Sequence, residues 1–155
     1  MSEVPRRQIG RTELSVTELG LGCATLGGSQ IAVARAVAEE IVGAAWASGV
    51  RYVDTAPFYG VGQAERCVGD ALRDHPRDEW VLSTKVGRLL RRNPTGIFAD
   101  GRRHPLPFDA VYDYSYDGIM ARSRTAFSVL AWRGSTSSMS TISAPTSTAS
   151  RRMWR

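Results

Sequence analysis

An alternation of short β-rich runs with helical stretches limits the folds open to this chain more than any other feature. The runs are an apolar strand near residues 17–22, the β-branched and aromatic "VRYVDTA" leading into Asp54, and "EWVLSTKVG", whose strand ends at Lys85. Residues 30–48 place Ile31, Ala34, Val37, Ala38, Ile41, Val42, Ala45 and Trp46 three and four apart, the stripe of an amphipathic helix that Gly49 then stops. "GQAERCVGDALRDH" predicts a second helix with Ala64, Val68, Ala71 and Leu72 inward. Strand, helix, strand, helix, strand is the repeat of an α/β protein with a parallel sheet. Ahead of it, "RRQIGRTELSV" reads as two short strands around a Gly-Arg-Thr turn. Behind it, residues 88–115 show neither period and are rich in Pro, Gly and Arg, which predicts a long loop of the kind kept for function.

Charge divides the chain differently. The net charge is +5 over 155 residues, yet residues 1–120 hold 14 basic and 15 acidic side chains. The excess lies in residues 121–155, with six Arg, nine Ser, five Thr and no acid. Such a composition suits disorder or a weak anion-binding arm. A non-catalytic interaction or anion-binding protein using this tail is the alternative reading. No aromatic platform or binding motif accompanies the tail, so no nucleic-acid partner is expected. Cys23 and Cys67 make neither a disulfide framework nor a metal spacing and read as small hydrophobes; no metal is expected. No signal peptide and no bilayer-length apolar run is visible, so a soluble cytoplasmic protein without a membrane partner is expected.

Three polar residues stand out. Asp54 and Lys85 each close a predicted strand, and Tyr59 follows in a loop tightened by Pro57 and Gly60. Strand ends of a parallel sheet gather at one crevice, so the three are expected to converge. Lys85 is the single lysine beside 19 arginines, a hint that an ammonium is needed there. A cation beside a phenol favours phenolate, and a carboxylate holds that cation charged and oriented. The expected result is a tyrosine able to give or take a proton. Neither "GLGCATLGG" nor "GVGQAE" fits a dinucleotide fingerprint, and both read as turns. Arg88, Arg91, Arg92, Arg102 and Arg103 read as a solvated loop face, and His75 and His104 as solvent-facing.

"GVRYVDTAPFYGVGQAERCVGDALR" followed by "VLSTKVGR" resembles the aldo-keto reductase family, and "RTELSVTELGLGCATLGG" resembles that family's N-terminal hairpin and first strand. "TKVGRLL" and "YDYSYDGIM" resemble the branch of aldose 1-dehydrogenases, which includes L-fucose, D-threo-aldose and pyridoxal dehydrogenases. The resemblance covers residues 6–120. It implies the N-terminal part of a (β/α)8 TIM barrel, a hairpin plus about three βα units, binding NAD or NADP without a Rossmann domain. It implies Tyr59 as proton donor or base, Lys85 tuning it, Asp54 pairing with Lys85, and Gly22, Cys23 and Asp54 near the nicotinamide. The substrate implied is a small sugar or aldehyde, with hydride transfer leaning toward oxidation of an aldose. The family's fourth catalytic residue is a His closing the fourth strand, and neither His75 nor His104 stands there.

The tail carries an explanation. Related dehydrogenases continue after the "DGIM" position with a helix such as "RSFEDSLQRLGL" and a strand such as "VDILYVHD". Codons permitted for "ARSRTAFS", preceded by one extra base, read "RSFEDSLQ". In that register a Ser codon TCN supplies NTC, which encodes Phe, Leu, Ile or Val. Ser135, Ser137, Ser138 and Ser140 then fall where a buried strand would have Val, Ile, Leu and Val, and Thr141 falls on the missing His. The expectation is one nucleotide lost after Met120, with residues 1–120 a barrel portion truncated by the frameshift and residues 121–155 an out-of-frame, irregular tail. Self-association through open sheet edges and no measurable activity are expected from such a chain.

Overall fold

The computed structural model describes residues 4–28, 33–95, 97, 106–130 and 139–142, the last segment by its backbone. The chain opens with an antiparallel pair, β1 (Arg6–Gln8) and β2 (Ser15–Thr17), around a turn in which Gly10 takes φ 56°. Then come β3 (Gly20–Gly22), α1 (Arg35–Ala47), β4 (Tyr52–Asp54), α2 (Gln63–Leu72) and β5 (Val81–Lys85). The expected βαβαβ order is present, and β3, β4 and β5 pair in parallel.

Side-chain alternation sets what each face of this sheet does. Val53 and Leu82, in register across β4 and β5, point into a core with Cys23, Val42, Val68 and Leu72. Burying an aliphatic side chain of this size contributes about 1.5–3 kcal/mol. Asp54 and Lys85 lie one and three positions further along and take the other face. α2 follows its predicted stripe, with Ala64, Val68 and Leu72 buried. In α1 only Ala38 and Val42 are buried, while Val37 and Ile41 of the same predicted stripe are 46% and 40% exposed. Against α2 and the sheet, α1 uses one flank of its stripe and leaves the other uncovered.

Two parts of the chain differ from expectation. Residues 88–115 include an antiparallel hairpin, β6 (Arg88–Arg92) and β7 (Phe108–Tyr112), paired from Arg88↔Tyr112 to Arg92↔Phe108. Its backbone ladder holds it, with side chains half-buried or exposed on both faces, so no alternation marks it in the sequence. The second part is the tail. Helix α3 (Tyr116–Val129) runs through Met120 without a break, capped by Ser115, whose side chain accepts from the Gly118 amide at 3.0 Å. Its tail half is supplied with Ala and Arg, which favour helix. Gly69 admits it closely, since a Cβ there would lie 2.8 Å from the Val129 carbonyl and from Leu130 Cα. Residues 139–142 form β8 (Met139–Ile142), parallel to β5 with Thr84↔Thr141 and Lys85↔Ile142, so four parallel strands run in the order β3-β4-β5-β8 where about three were expected. Irregular structure therefore does not begin at residue 121; the rest of the tail lies outside the described residues.

Candidate active site

The crossing from β4 to β5 brings the predicted residues together. Lys85 Nζ donates to Asp54 Oδ2 at 2.8 Å and to the Thr55 carbonyl at 3.0 Å, and lies 4.9 Å from the centroid of the Tyr59 ring. Both charged side chains stay partly open, 26% exposed for Lys85 and 31% for Asp54. Burial alone would lower the Lys85 pKa; Asp54 and Tyr59 outweigh it, and the net shift is upward, so the ammonium stays charged across the neutral range.

Two members of the cluster were not singled out in the sequence. Ser83 Oγ donates to Asp54 Oδ1 at 2.5 Å, and the Tyr52 hydroxyl lies 3.0 Å from Ser83 Oγ. Each stands two residues before a predicted site residue, Tyr52 before Asp54 and Ser83 before Lys85. A strand's period of two puts such pairs on one face, which is the signal that could have found them. The hydrogen bonds on both carboxylate oxygens fix Asp54, and Asp54 in turn fixes the ammonium.

Tyr59 is held by its backbone. Gly60 takes φ 60°, and a Cβ there would lie 1.8 Å from the Gly27 carbonyl; one on Gly27 would lie 2.3 Å from the Tyr59 carbonyl carbon. The loop carrying Tyr59 thus rests on the single helical turn Thr25–Gly27 through two glycines that have no room for a side chain. Tyr59 and Lys85 open on a cavity of about 160 Å³, also lined by Phe58, Arg88 and Tyr114. Arg88 is half-buried, and at the surface its guanidinium lies 4.2 Å from the Phe58 ring and 4.6 Å from the Tyr112 ring and donates to the Tyr112 hydroxyl. Arg91 and Arg92 are exposed as expected, and Arg102, Arg103 and His104 lie outside the described residues. His75 is half-buried. It stacks on Trp46 at 3.8 Å, where α1 ends and β4 is about to begin, at the opposite end of the sheet from Lys85.

Gly22 and Cys23 sit at the end of β3, with the Cys23 amide donating to the Asp54 carbonyl at 2.9 Å. A Cβ on Gly22 would meet nothing within 4 Å, so the strand end is open there. The Cys23 side chain points the other way, fully buried in the core. Burial first, then the charges of Asp54 and Cys67, pushes its thiol from 9.0 up to about 12, and burial raises Cys67 as well. Iodoacetamide at pH 8 is therefore expected to leave both cysteines unmodified in the native protein and to label both in urea; native labelling of Cys23, read by mass spectrometry, would contradict this burial. Because the folded thiol holds its proton longer than the unfolded one, the stability it supports is intact below pH 9.0 and lost as pH rises toward 12.

Directly behind the site lies a second charged pair. Glu65 on α2 and Arg122 on α3 are both 1% exposed and bonded to each other, and Thr84 Oγ1, next to Lys85, donates to Glu65 Oε1 at 2.6 Å. Arg122 Nε and Nη1 are buried without a partner. Among the described residues no three His, Cys, Asp or Glu side chains are grouped to hold a metal, and no helix is long and apolar enough to cross a membrane.

Both the sequence and the fold of this chain have counterparts in known proteins. The model of the aldo/keto reductase family matches residues 18–125. This chain belongs to that family. Among its relatives, pyridoxal 4-dehydrogenase from Microbacterium luteolum is 46% identical over 125 residues, taking in 74% of this chain and 36% of that protein. D-threo-aldose 1-dehydrogenase from a Pseudomonas species is 42% identical over 113 residues, or 70% of this chain and 34% of that protein. The solved structure of an aldo-keto reductase from Bacillus halodurans superposes with a TM-score of 0.64 at 29% identity, over 83% of this chain and 37% of that one. The chain thus spans about a third of the length of these aldo-keto reductases, and its sheet corresponds to part of their (β/α)8 barrel.

Proposed function

We propose that this polypeptide carries the acid–base half of an NAD(P)-dependent oxidoreductase site, built to oxidise an aldose or interconvert a small aldehyde by hydride transfer, and that the chain as read does not turn over. The observation that carries the first part is the Lys85 ammonium held between the Asp54 carboxylate and the Tyr59 ring at the rim of an open cavity. In reduction the Tyr59 phenol gives its proton to the carbonyl oxygen as the carbon gains hydride and is left as phenolate; in oxidation that phenolate takes the proton from the substrate hydroxyl as its carbon loses hydride. Lys85 stabilises the negative charge that develops on the phenol oxygen, a task that needs the ammonium in place beforehand. Asp54, Ser83 and Tyr52 keep it there. The open strand end at Gly22 beside Asp54 fits the flat nicotinamide end of a dinucleotide, with Gly22, the Cys23 backbone and Asp54 its neighbours. A nicotinamide bound there would supply the hydride acceptor. The names of the two relatives support an aldose or an aromatic aldehyde as the substrate class, and a soluble cytoplasmic setting accords with this chemistry.

The second part rests on the sheet. Among the described residues no further strand pairs with β3 or β8, the outer strands of the four, and backbone donors and acceptors unpaired at such edges favour self-association over a closed barrel. Among the described residues no histidine stands beside Lys85. Purified chain is expected to give no change in nicotinamide fluorescence on titration with NADH or NADPH. Saturable binding of either would overturn the claim that the site cannot hold its cofactor, and leave the acid–base assignment to be judged by the Tyr59 variant considered in the Discussion.

A further inference from the structure

A strand inside a parallel sheet is covered on both faces and normally reads as a near-continuous apolar run. β8 extends such a sheet as its outer strand, paired in parallel along β5, but the residues leading into and through it read "STSSMSTI". Helix α3 shows a second mismatch: its inward face is Gly118, Arg122, Ala126 and then Leu130, and the one long side chain on it is a guanidinium with two buried donors that bond to nothing. Each unpaired buried donor costs about 1–3 kcal/mol. Backbone and side chains disagree at both places, and both places follow Met120. The family match also stops at residue 125, although the relatives are about three times longer than what is matched.

A one-base displacement removes both mismatches. If one base is restored after codon 120, each new codon is the last base of the old codon before it followed by the first two bases of the old one. TCN serines at 135, 137, 138 and 140 become NTC, which encodes only Phe, Leu, Ile or Val. Trp132 has a single codon, TGG, and becomes NTG, which is Leu, Met or Val. A CGN arginine at 122 becomes NCG, which is Ser, Pro, Thr or Ala, so the buried guanidinium is replaced by a small residue. An ACN codon at 141 becomes NAC, which is His, Asn, Asp or Tyr.

We infer that the bases after codon 120 are translated here one position out of register, and that the restored register encodes a fourth strand with apolar residues at 135, 137, 138 and 140. The inference rests on the barrel reading above.

The test is the DNA that encodes codons 120–155, followed by expression of the gene with one base restored. The expected result is TCN at the four serines, CGN at Arg122, and a frame open beyond codon 155. AGC or AGT at those serines, or a stop codon in the restored frame, overturns the inference. The restored product is expected to unfold cooperatively and to resist limited proteolysis better than the 155-residue product; equal or faster cleavage also overturns it. Turnover by the restored product judges the dehydrogenase reading separately: a well-folded restored protein with no nicotinamide-dependent activity would sink that reading and leave the register standing.

Discussion

Glu65→Ala is expected to cost about 3–5 kcal/mol of folding stability, a large share of the about 5–15 kcal/mol that an ordinary domain has in total. The reason is the position of Arg122, 1% exposed and already short of two hydrogen-bond partners. Removing the carboxylate leaves a guanidinium in the core with no counter-charge, and Thr84 loses its acceptor at 2.6 Å. The pair itself is not worth that much, because taking two charges out of water offsets most of their attraction. Glu65→Leu with Arg122→Leu is therefore expected to recover most of the loss, and urea denaturation of the two single variants and the double variant measures the coupling. Additive losses in the double variant would show that the two side chains do not act as a pair.

Tyr59→Phe, made in the one-base-restored protein, is expected to lower kcat by about 10²–10⁴-fold with little change in KM. The substitution keeps the ring that faces Lys85 and removes only the oxygen that moves the proton. Its unfolding midpoint should stay near that of the parent, since the loop is held by Gly27 and Gly60 and not by the phenol hydroxyl. A KM effect alone would mark Tyr59 as a wall of the cavity and not as the proton carrier.

How much of this was legible in the sequence depends on where each residue's partners lie. The βαβαβ order and the convergence of Asp54 with Lys85 follow from periodicity and from strand ends meeting at one edge, and the structure puts them 2.8 Å apart. Tyr52 and Ser83 were within reach of the same period-two reasoning. The β6–β7 hairpin was not, because an antiparallel ribbon with both faces half-exposed imposes no alternation on its residues. The aromatic neighbours of Arg88 were out of reach as well, since they come from the Tyr59 loop and from β7, 30 and 24 residues away. Glu65 and Arg122 were invisible for another reason: a charged residue on a helix reads as solvent-facing until its partner across the fold is known. The stripe of α1 was legible and overstated, as Val37 and Ile41 show.

The central claim is that the Asp54–Lys85–Tyr59 cluster is a proton-transfer site which the present reading of the chain leaves incomplete. Nicotinamide absorbance during incubation with an aldose or pyridoxal tests it most directly, with the 155-residue product, the one-base-restored product and the restored Tyr59→Phe variant assayed side by side. The account predicts turnover by the restored protein alone; turnover by the 155-residue chain, or an undiminished rate in Tyr59→Phe, would contradict it.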